Sequence, residues 1–295
     1  MKKHAYLIIA HQHFDMLERL VRALDSGEAG FYIHIDRRAR GFREERLRQV
    51  MKNPDNLHVY RKYRIAWGAD TQVRCEMLLL EQAVRGGYDY YHLLSGVDIP
   101  LRRCEEIEAF FEDRTESFVQ IREEKDNVQT LDRVRYRYPL QNLIGRPRKD
   151  GGFWYGVLQQ FSYECVKLQR ALGMDRTKKA PFAYCRGGNW FSITHELAAY
   201  VVGHRREVAR FFYHSLTADE MFLQCLACAS PYRDRLVRDN LRLIDWQRTE
   251  HDGCSPHTFT MDDWDMLTTS DKLWARKFDP AADAAVIDAL YARIE

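Results

Sequence analysis

The stretch Tyr88–Leu101 reads YDYYHLLSGVDIPL, and the fold turns on how it is read. Tyr90–Leu94 is an apolar, aromatic run of strand length that stops abruptly at Ser95-Gly96. A lone carboxylate, Asp98, follows in Val97-Asp98-Ile99-Pro100. Ligands of open α/β sheets sit beyond the carboxyl ends of the strands. A glycine-containing turn carrying an acid at such a point is therefore a candidate site. A metal-holding turn there would be expected to offer paired acids, and this one offers a single Asp.

Outward from that strand, the first ~120 residues alternate strand-like and helical patterns, the signature of βαβ units on a mainly parallel sheet flanked by helices. Ala5–Ala10 and Phe31–Ile35 read as strands, with Phe14, Leu17, Leu20, Val21 and Leu24 at helical spacing between them. Phe42–Met51 reads as a polar helix and Leu57–Tyr60 as a short strand. Val73, Met77, Leu80 and Val84 form one apolar helix stripe, followed by a helix over Glu105–Phe111 and a strand over Phe118–Ile121. The pattern degrades over 122–183, where RYRYPLQNLIGRPRKDGGFWYG has no sustained period; this irregular segment reads equally as an acceptor-facing loop or lid and as a mobile surface insertion. Order returns with the strand Asn189–Thr194. Helices over 195–203, 205–214 and 217–229 follow, then a strand at Leu241–Trp246 and a capped helix at Thr260–Met266. The terminal helix, Pro280–Ile294, has Asp279 as its cap. The expected organisation is one domain, with a nucleotide-binding half (1–121), the insertion, and an acceptor-side catalytic half (184–295).

Composition narrows the function. Lys+Arg 45 against Asp+Glu 43 leaves a net charge of +2 over 295 residues, which argues against a nucleic-acid partner. No run approaches the ~20 apolar residues of a membrane span. YLIIA reads as a buried strand rather than a secretory core, so a cytoplasmic location is expected, with peripheral contact at the inner face of a membrane allowed. The seven cysteines (75, 104, 165, 185, 225, 228 and 254) form no disulfide framework. Cys225-x-x-Cys228 lies in the apolar run MFLQCLACA and reads as packing rather than a metal site.

Several residues carry chemistry. Asp36 closes the second strand, where an acid can bond a ribose or base edge. The turn after the first strand is Ala10-His11-Gln12-His13, without the glycine fingerprint of a dinucleotide fold. His11 and His13 lack an assured third ligand, so the non-metal reading holds. Thr217-Ala218-Asp219-Glu220 has the form of a capping box. It also places Glu220, preceded by Asp219, where it can take a proton from a hydroxyl. Arg276-Lys277 could neutralise a diphosphate, the Arg as a fork and the Lys as a point charge. Trp190 and Trp67-Gly68 offer stacking surfaces for a sugar, although a core position is the commoner fate of a Trp.

Nine segments, taken in order, resemble the core-2/I-branching N-acetylglucosaminyltransferase and peptide O-xylosyltransferase family. They are YLIIAHQ (6–12), FYIHIDRR (31–38), AWGADTQV (66–73), YYHLLSGVDIPL (90–101), GGNWFSIT (187–194), TADEMFLQCL (217–226), LRLIDW (241–246), SPHTFTMDDWDML (255–267) and KLWARKFD (272–279). The resemblance implies a GT-A-like fold and an inverting transfer from a uridine-diphosphate sugar, with N-acetylglucosamine or xylose as the sugar. It implies no divalent metal, and a glycan or lipid-linked saccharide as acceptor. Glu220 would be the base, Arg276 and Lys277 the clamp on the leaving diphosphate, and Asp36 the uridine contact. Trp190, Asp98 and Asp219 would line the sugar sites, with His11, Trp67 and Gly68 on the donor side. Asp263-Trp264-Asp265 spells Asp-x-Asp but sits in a capped helix and reads as structural. The competing readings are an inactive nucleotide- or carbohydrate-binding module on the same fold, and a metal-dependent nucleotidyltransferase that would need the missing second acid.

Overall fold

A computed structural model of the chain describes residues 1–122, 128–145, 152–249 and 255–294. The alternating segments form β1 (His4–Ala10), α1 (Phe14–Leu24), β2 (Gly30–Ile35), α2 (Glu44–Val50), β3 (Leu57–Tyr60), α3 (Asp70–Ala83), β4 (Tyr90–Ser95), β5 (Ile99–Pro100), α4 (Cys104–Phe111) and β6 (Ser117–Val119). The insertion carries α5 (Val128–Arg135), α6 (Gln141–Ile144) and α7 (Gly152–Ala171). Then follow β7 (Phe191–Thr194), α8 (His195–Gly203), α9 (Arg205–Phe212), α10 (Phe222–Ala229), β8 (Leu236–Val237), β9 (Arg242–Ile244), α11 (Trp264–Thr269), β10 (Trp274–Arg276) and α12 (Ala284–Ile294).

The large sheet has the order β3-β2-β1-β4-β7-β6-β8. Its first four strands are mutually parallel, β7 runs against them, and β6 and β8 are parallel to each other. β4 lies beside β1 with Leu7 opposite Leu93 and Ile9 opposite Ser95. Every residue of β2 is buried, as expected where helices cover both faces. One apolar cluster packs α3, α8, α9 and α10 on one face, and a second packs α1, α2 and α4 on the other. A small sheet, β5-β10-β9, packs with α11 and α12 around Phe259 and Phe278. No helix among the described residues is long and apolar enough to cross a membrane.

Arg242, at the start of β9, ties the two sheets together. Its guanidinium donates to the carbonyls of Leu93 (3.0 Å) and Phe191 (2.8 Å) and to Ser192 Oγ (2.8 Å), and stacks 4.5 Å from Trp274. Ser192 Oγ also bonds His92 Nδ1 (2.9 Å), so the histidine of the aromatic strand belongs to this buried network. Burial pulls the Arg242 pKa down to about 9 and keeps His92 well below its usual range.

Several elements differ from the sequence expectation. Much of the insertion is helical: α7 runs 20 residues, but its buried side is only Tyr155, Ser162 and Val166, so apolar residues on its other face blur the period. The terminal helix starts at Ala284, not Pro280. Asp283 caps it by accepting from the amides of Ala285 and Val286, while Asp279 closes the preceding turn. The 217–229 helix is a 3-10 turn over Ala218–Glu220 followed by α10. The helix after Thr260 likewise opens as a 3-10 turn and extends to Thr269. Among the described cysteines all are free, and Cys185, Cys225 and Cys228 pack together at α10; Cys254 lies outside the described residues.

Candidate functional site

Strand direction brings most of the candidate residues to one edge of the large sheet. β1, β2 and β4 are parallel, so His11, Asp36 and the Ser95–Asp98 turn all follow their carboxyl ends. β7 is antiparallel to β4, with Ser192 opposite His92, so its beginning, with Trp190 just ahead of it, lies at that same edge. Gly96 is required by close approach: a Cβ there would sit 2.7 Å from that of Ala10.

The cationic end is built on β10. The Arg276 guanidinium lies 4.0 Å from the centroid of the Trp190 ring, a cation–π contact, and its Nε is 3.9 Å from Asp98 Oδ1. Its Nη1 is buried and has no hydrogen-bond partner among the described residues. Burial lowers the Arg276 pKa from the guanidinium value, and Asp98 opposes that fall. Asp98 itself is buried and accepts from Ser95 N (2.9 Å) and Ser95 Oγ (2.5 Å). The lone acid of the opening stretch therefore stands as a fixed counter-charge behind the arginine. Lys277 donates from Nζ to Ser255 Oγ at 2.7 Å.

The acidic end is the Ala218–Glu220 turn. No capping box forms: Thr217 has a left-handed backbone (φ 48°), and Thr217 Oγ1 accepts from Arg133. Glu220 instead pairs through Oε2 with Arg186 Nε (2.9 Å) and Arg133 Nη1 (3.4 Å), and remains about one-third exposed. Two guanidiniums thus fix the direction of the carboxylate.

The segment Arg186–Trp190 joins the two ends. Arg186 holds Glu220, the Gly187 amide donates to the Glu220 carbonyl (2.9 Å), and Trp190 stacks on Arg276. Four residues of chain span at most ~14 Å, so the backbone anchors of the Glu220 and Arg276 contacts lie close together. Gly187 is again dictated by contact, since a Cβ would lie 1.6 Å from the Gln120 carbonyl oxygen.

Asp36 accepts from Arg38 N (2.7 Å), Arg38 Nε (3.1 Å), Arg38 Nη2 (3.1 Å) and Ile65 N (2.8 Å). Burial raises its pKa, but these bonds outweigh that and hold it below the usual range. It pins the segment leading to Trp67 rather than presenting a bare carboxylate. His11, beside it, is lowered by desolvation and stays neutral near pH 7. His13 opens α1 through its carbonyl. Gly68 (φ +69°) accepts the Thr217 amide at 2.8 Å, which locks the Trp67 loop against the Glu220 turn. Asp263 is buried against Arg248 (2.7 Å) and His257 (2.9 Å), in keeping with a structural role.

A pocket of about 440 Å³ opens beside Leu216 and Thr217, between the Trp67 loop and α7. Arg133, Tyr138, Gln159, Lys167 and Arg170 line it, and Arg133 is shared with the Glu220 ion pair. Sequence reading missed Arg133, Arg186 and Arg242, whose side chains meet partners that are mostly distant in the chain.

It also missed Glu76, a fully buried acid on α3 whose only sequence signal is a carboxyl amid the apolar run of that helix. Burial pushes its pKa well up, and Asp219 adds to the rise. Asp219 is raised to about 7, by burial first and by Glu220 second. Native Asp219 therefore keeps a proton that the unfolded chain releases near pH 4, so its contribution to stability falls as pH rises from about 4 to 7 and levels off above. Asp219→Asn should flatten the decline in urea stability between pH 5 and 7.5 by about 2–3 kcal/mol. Parallel curves for variant and wild type would refute the assignment.

The sequence model of the family described as Core-2/I-Branching enzyme matches residues 4–274 and so ends two residues before Arg276. The chain is similar to xylosyltransferase 2 of Canis lupus familiaris, with 25% identity over 97% of this chain and 33% of the relative. It is 26% identical to xylosyltransferase 2 of Rattus norvegicus over the same shares. It is 23% identical to xylosyltransferase oxt of Drosophila pseudoobscura pseudoobscura over 92% of this chain and 31% of the relative. The chain thus spans about a third of the length of the curated relatives it matches.

Proposed function

The chain belongs to the core-2/I-branching enzyme family, and from that premise we propose that it moves a sugar from a uridine-diphosphate donor to a hydroxyl of a glycan or lipid-linked saccharide. The transfer inverts the anomeric centre and uses no divalent metal. The observation that carries this reading is the Arg186–Trp190 segment, which holds a carboxylate at one end and a stacked, buried guanidinium at the other.

In this mechanism the acceptor enters from the 440 Å³ pocket. Its hydroxyl gives a proton to Glu220 as the oxygen attacks the anomeric carbon from the face opposite the leaving group. The bond from that carbon to the diphosphate oxygen breaks with its electron pair, leaving the nucleotide more negative by one charge. A divalent ion supplies the compensating charge in many transferases. Here Arg276, with Nη1 uncommitted, and Lys277 supply it from fixed positions, which costs no reorganisation during the step. Asp98 keeps the guanidinium charged and oriented, and Trp190 covers its face. Asp36 shapes the uridine wall by pinning Arg38 and the backbone of Ile65, with His11 at its rim. Xylose is proposed ahead of N-acetylglucosamine as the donor sugar, a choice supported by the relatives' names, and surface polysaccharide assembly is the process proposed for it.

A thermal-shift panel of uridine nucleotides tests the donor and metal claims together. UDP at about 100 times its Kd should raise Tm by about 5 °C, equally in EDTA and in Mn²⁺. Absence of a shift with every uridine nucleotide would overturn the donor, and a shift seen only with Mn²⁺ would overturn the metal-free clamp.

A further inference from the structure

Helix α7 has two working faces, and the reaction uses only one. Gln159, Ser162, Val166 and Arg170 line the pocket. On the other side Phe153, Trp154, Val157, Phe161 and Leu168, with Leu172 just past the end, fall within about one-third of the helical circumference and project into solvent. Phe153 and Trp154 are 77% and 75% exposed. Scattered exposed apolar residues are ordinary, but a contiguous stripe with two large aromatic rings at one end marks an interaction surface. The single acid of this helix, Glu164, is paired with Lys167 at 3.0 Å.

Charge identifies the occupant. The described insertion (128–145 and 152–183) has eight Lys and Arg against three Asp and Glu, whereas the whole chain is nearly balanced at 45 to 43. Lys178 and Lys179 follow α7 and are exposed. Two copies meeting through this surface would bring like charges together. An anionic bilayer is complementary to it, and Trp, Phe and Leu on one face with the exposed Lys178 and Lys179 just beyond its end is the composition of an interfacial segment.

We propose that the outer face of α7 docks on an anionic membrane surface, with its aromatic end in the headgroup region. The pocket on the inner face would then open along that surface, toward a saccharide carried on lipid. That consequence rests on the acceptor reading of the pocket, whereas the docking itself does not.

Co-sedimentation of the full chain with phosphatidylglycerol–phosphatidylcholine vesicles, and with phosphatidylcholine alone, tests the proposal without any turnover. Binding is expected to the anionic vesicles and to fall with salt. Trp154→Glu with Phe161→Glu should weaken it more than about a hundredfold, and Lys178→Glu with Lys179→Glu at least about tenfold. All variants should keep wild-type Tm and UDP shift, since none of these residues lines the site. Equal sedimentation of wild type and the Trp154/Phe161 double variant would overturn the proposal. So would a wild-type dimer in sedimentation velocity that this double variant disperses, because the face would then be taken by a second copy.

Discussion

Glu220→Gln is expected to lower kcat by about 10²–10⁴-fold while changing UDP affinity by less than about threefold. The range is that of a lost general base. The substitution is nearly isosteric, and the amide oxygen can still accept from Arg186 and Arg133, which now bond Glu220 Oε2 at 2.9 and 3.4 Å. Those pairs are partly solvated, so their weakening should cost at most about 1 kcal/mol of stability. The loss of rate should therefore appear without unfolding. Single-turnover transfer measured beside UDP calorimetry separates the two effects. Turnover within about fivefold of wild type would remove Glu220 from the mechanism and direct attention to Asp219, whose pKa of about 7 also suits a base.

The second large effect is expected at the clamp. Arg276→Ala is a poor test, because it would strip the counter-charge from buried Asp98 and destabilise the fold by up to about 3–5 kcal/mol. Arg276→Lys keeps the charge but loses the planar stack on Trp190 and the second nitrogen of the fork. Lys277→Ala removes a cation that also bonds Ser255. Each should lower kcat by about 10²–10³-fold. Each should also narrow the gap between UDP and uridine affinity, since only the diphosphate meets these cations. Calorimetry with both ligands reads that gap directly. If it stays at the wild-type value in both variants while circular dichroism shows an intact fold, the clamp lies elsewhere.

The fold was legible where local pattern and tertiary environment agree. β1, β2, β3 and β4 are short apolar runs between turn residues, and in the structure they lie side by side in parallel. The insertion was opaque for a physical reason: α7 buries little and exposes apolar side chains, so the usual inside–outside contrast is inverted along half its length. Capping signals misled twice. Pro280 and Thr217 each open a turn rather than a helix: the Thr217 amide is donated to Gly68, and at Pro280 the Ala282 and Asp283 amides close a turn on the Asp279 carbonyl. Among candidate residues, those that sit in turns with a family likeness were legible in the sequence. Arg133, Arg186 and Glu76 were not, since a base or acid on a helix or loop looks alike in sequence whether it points to solvent or, as the two arginines do, to a carboxylate 87 or 34 residues away. Asp98 was named as a sugar-pocket residue, and its burial behind Arg276 changes how it can act.

Arg242 bears on how this molecule opens. To peel β9 and β10 from the large sheet, its guanidinium would have to release two backbone carbonyls and a serine in a place water does not reach. Local fraying of the small sheet is therefore costly, and the amides of Trp274–Arg276 should exchange with solvent only at the rate set by global unfolding. The positively charged end of the site thus behaves as part of the rigid frame, held in place by the core rather than by the loops around it.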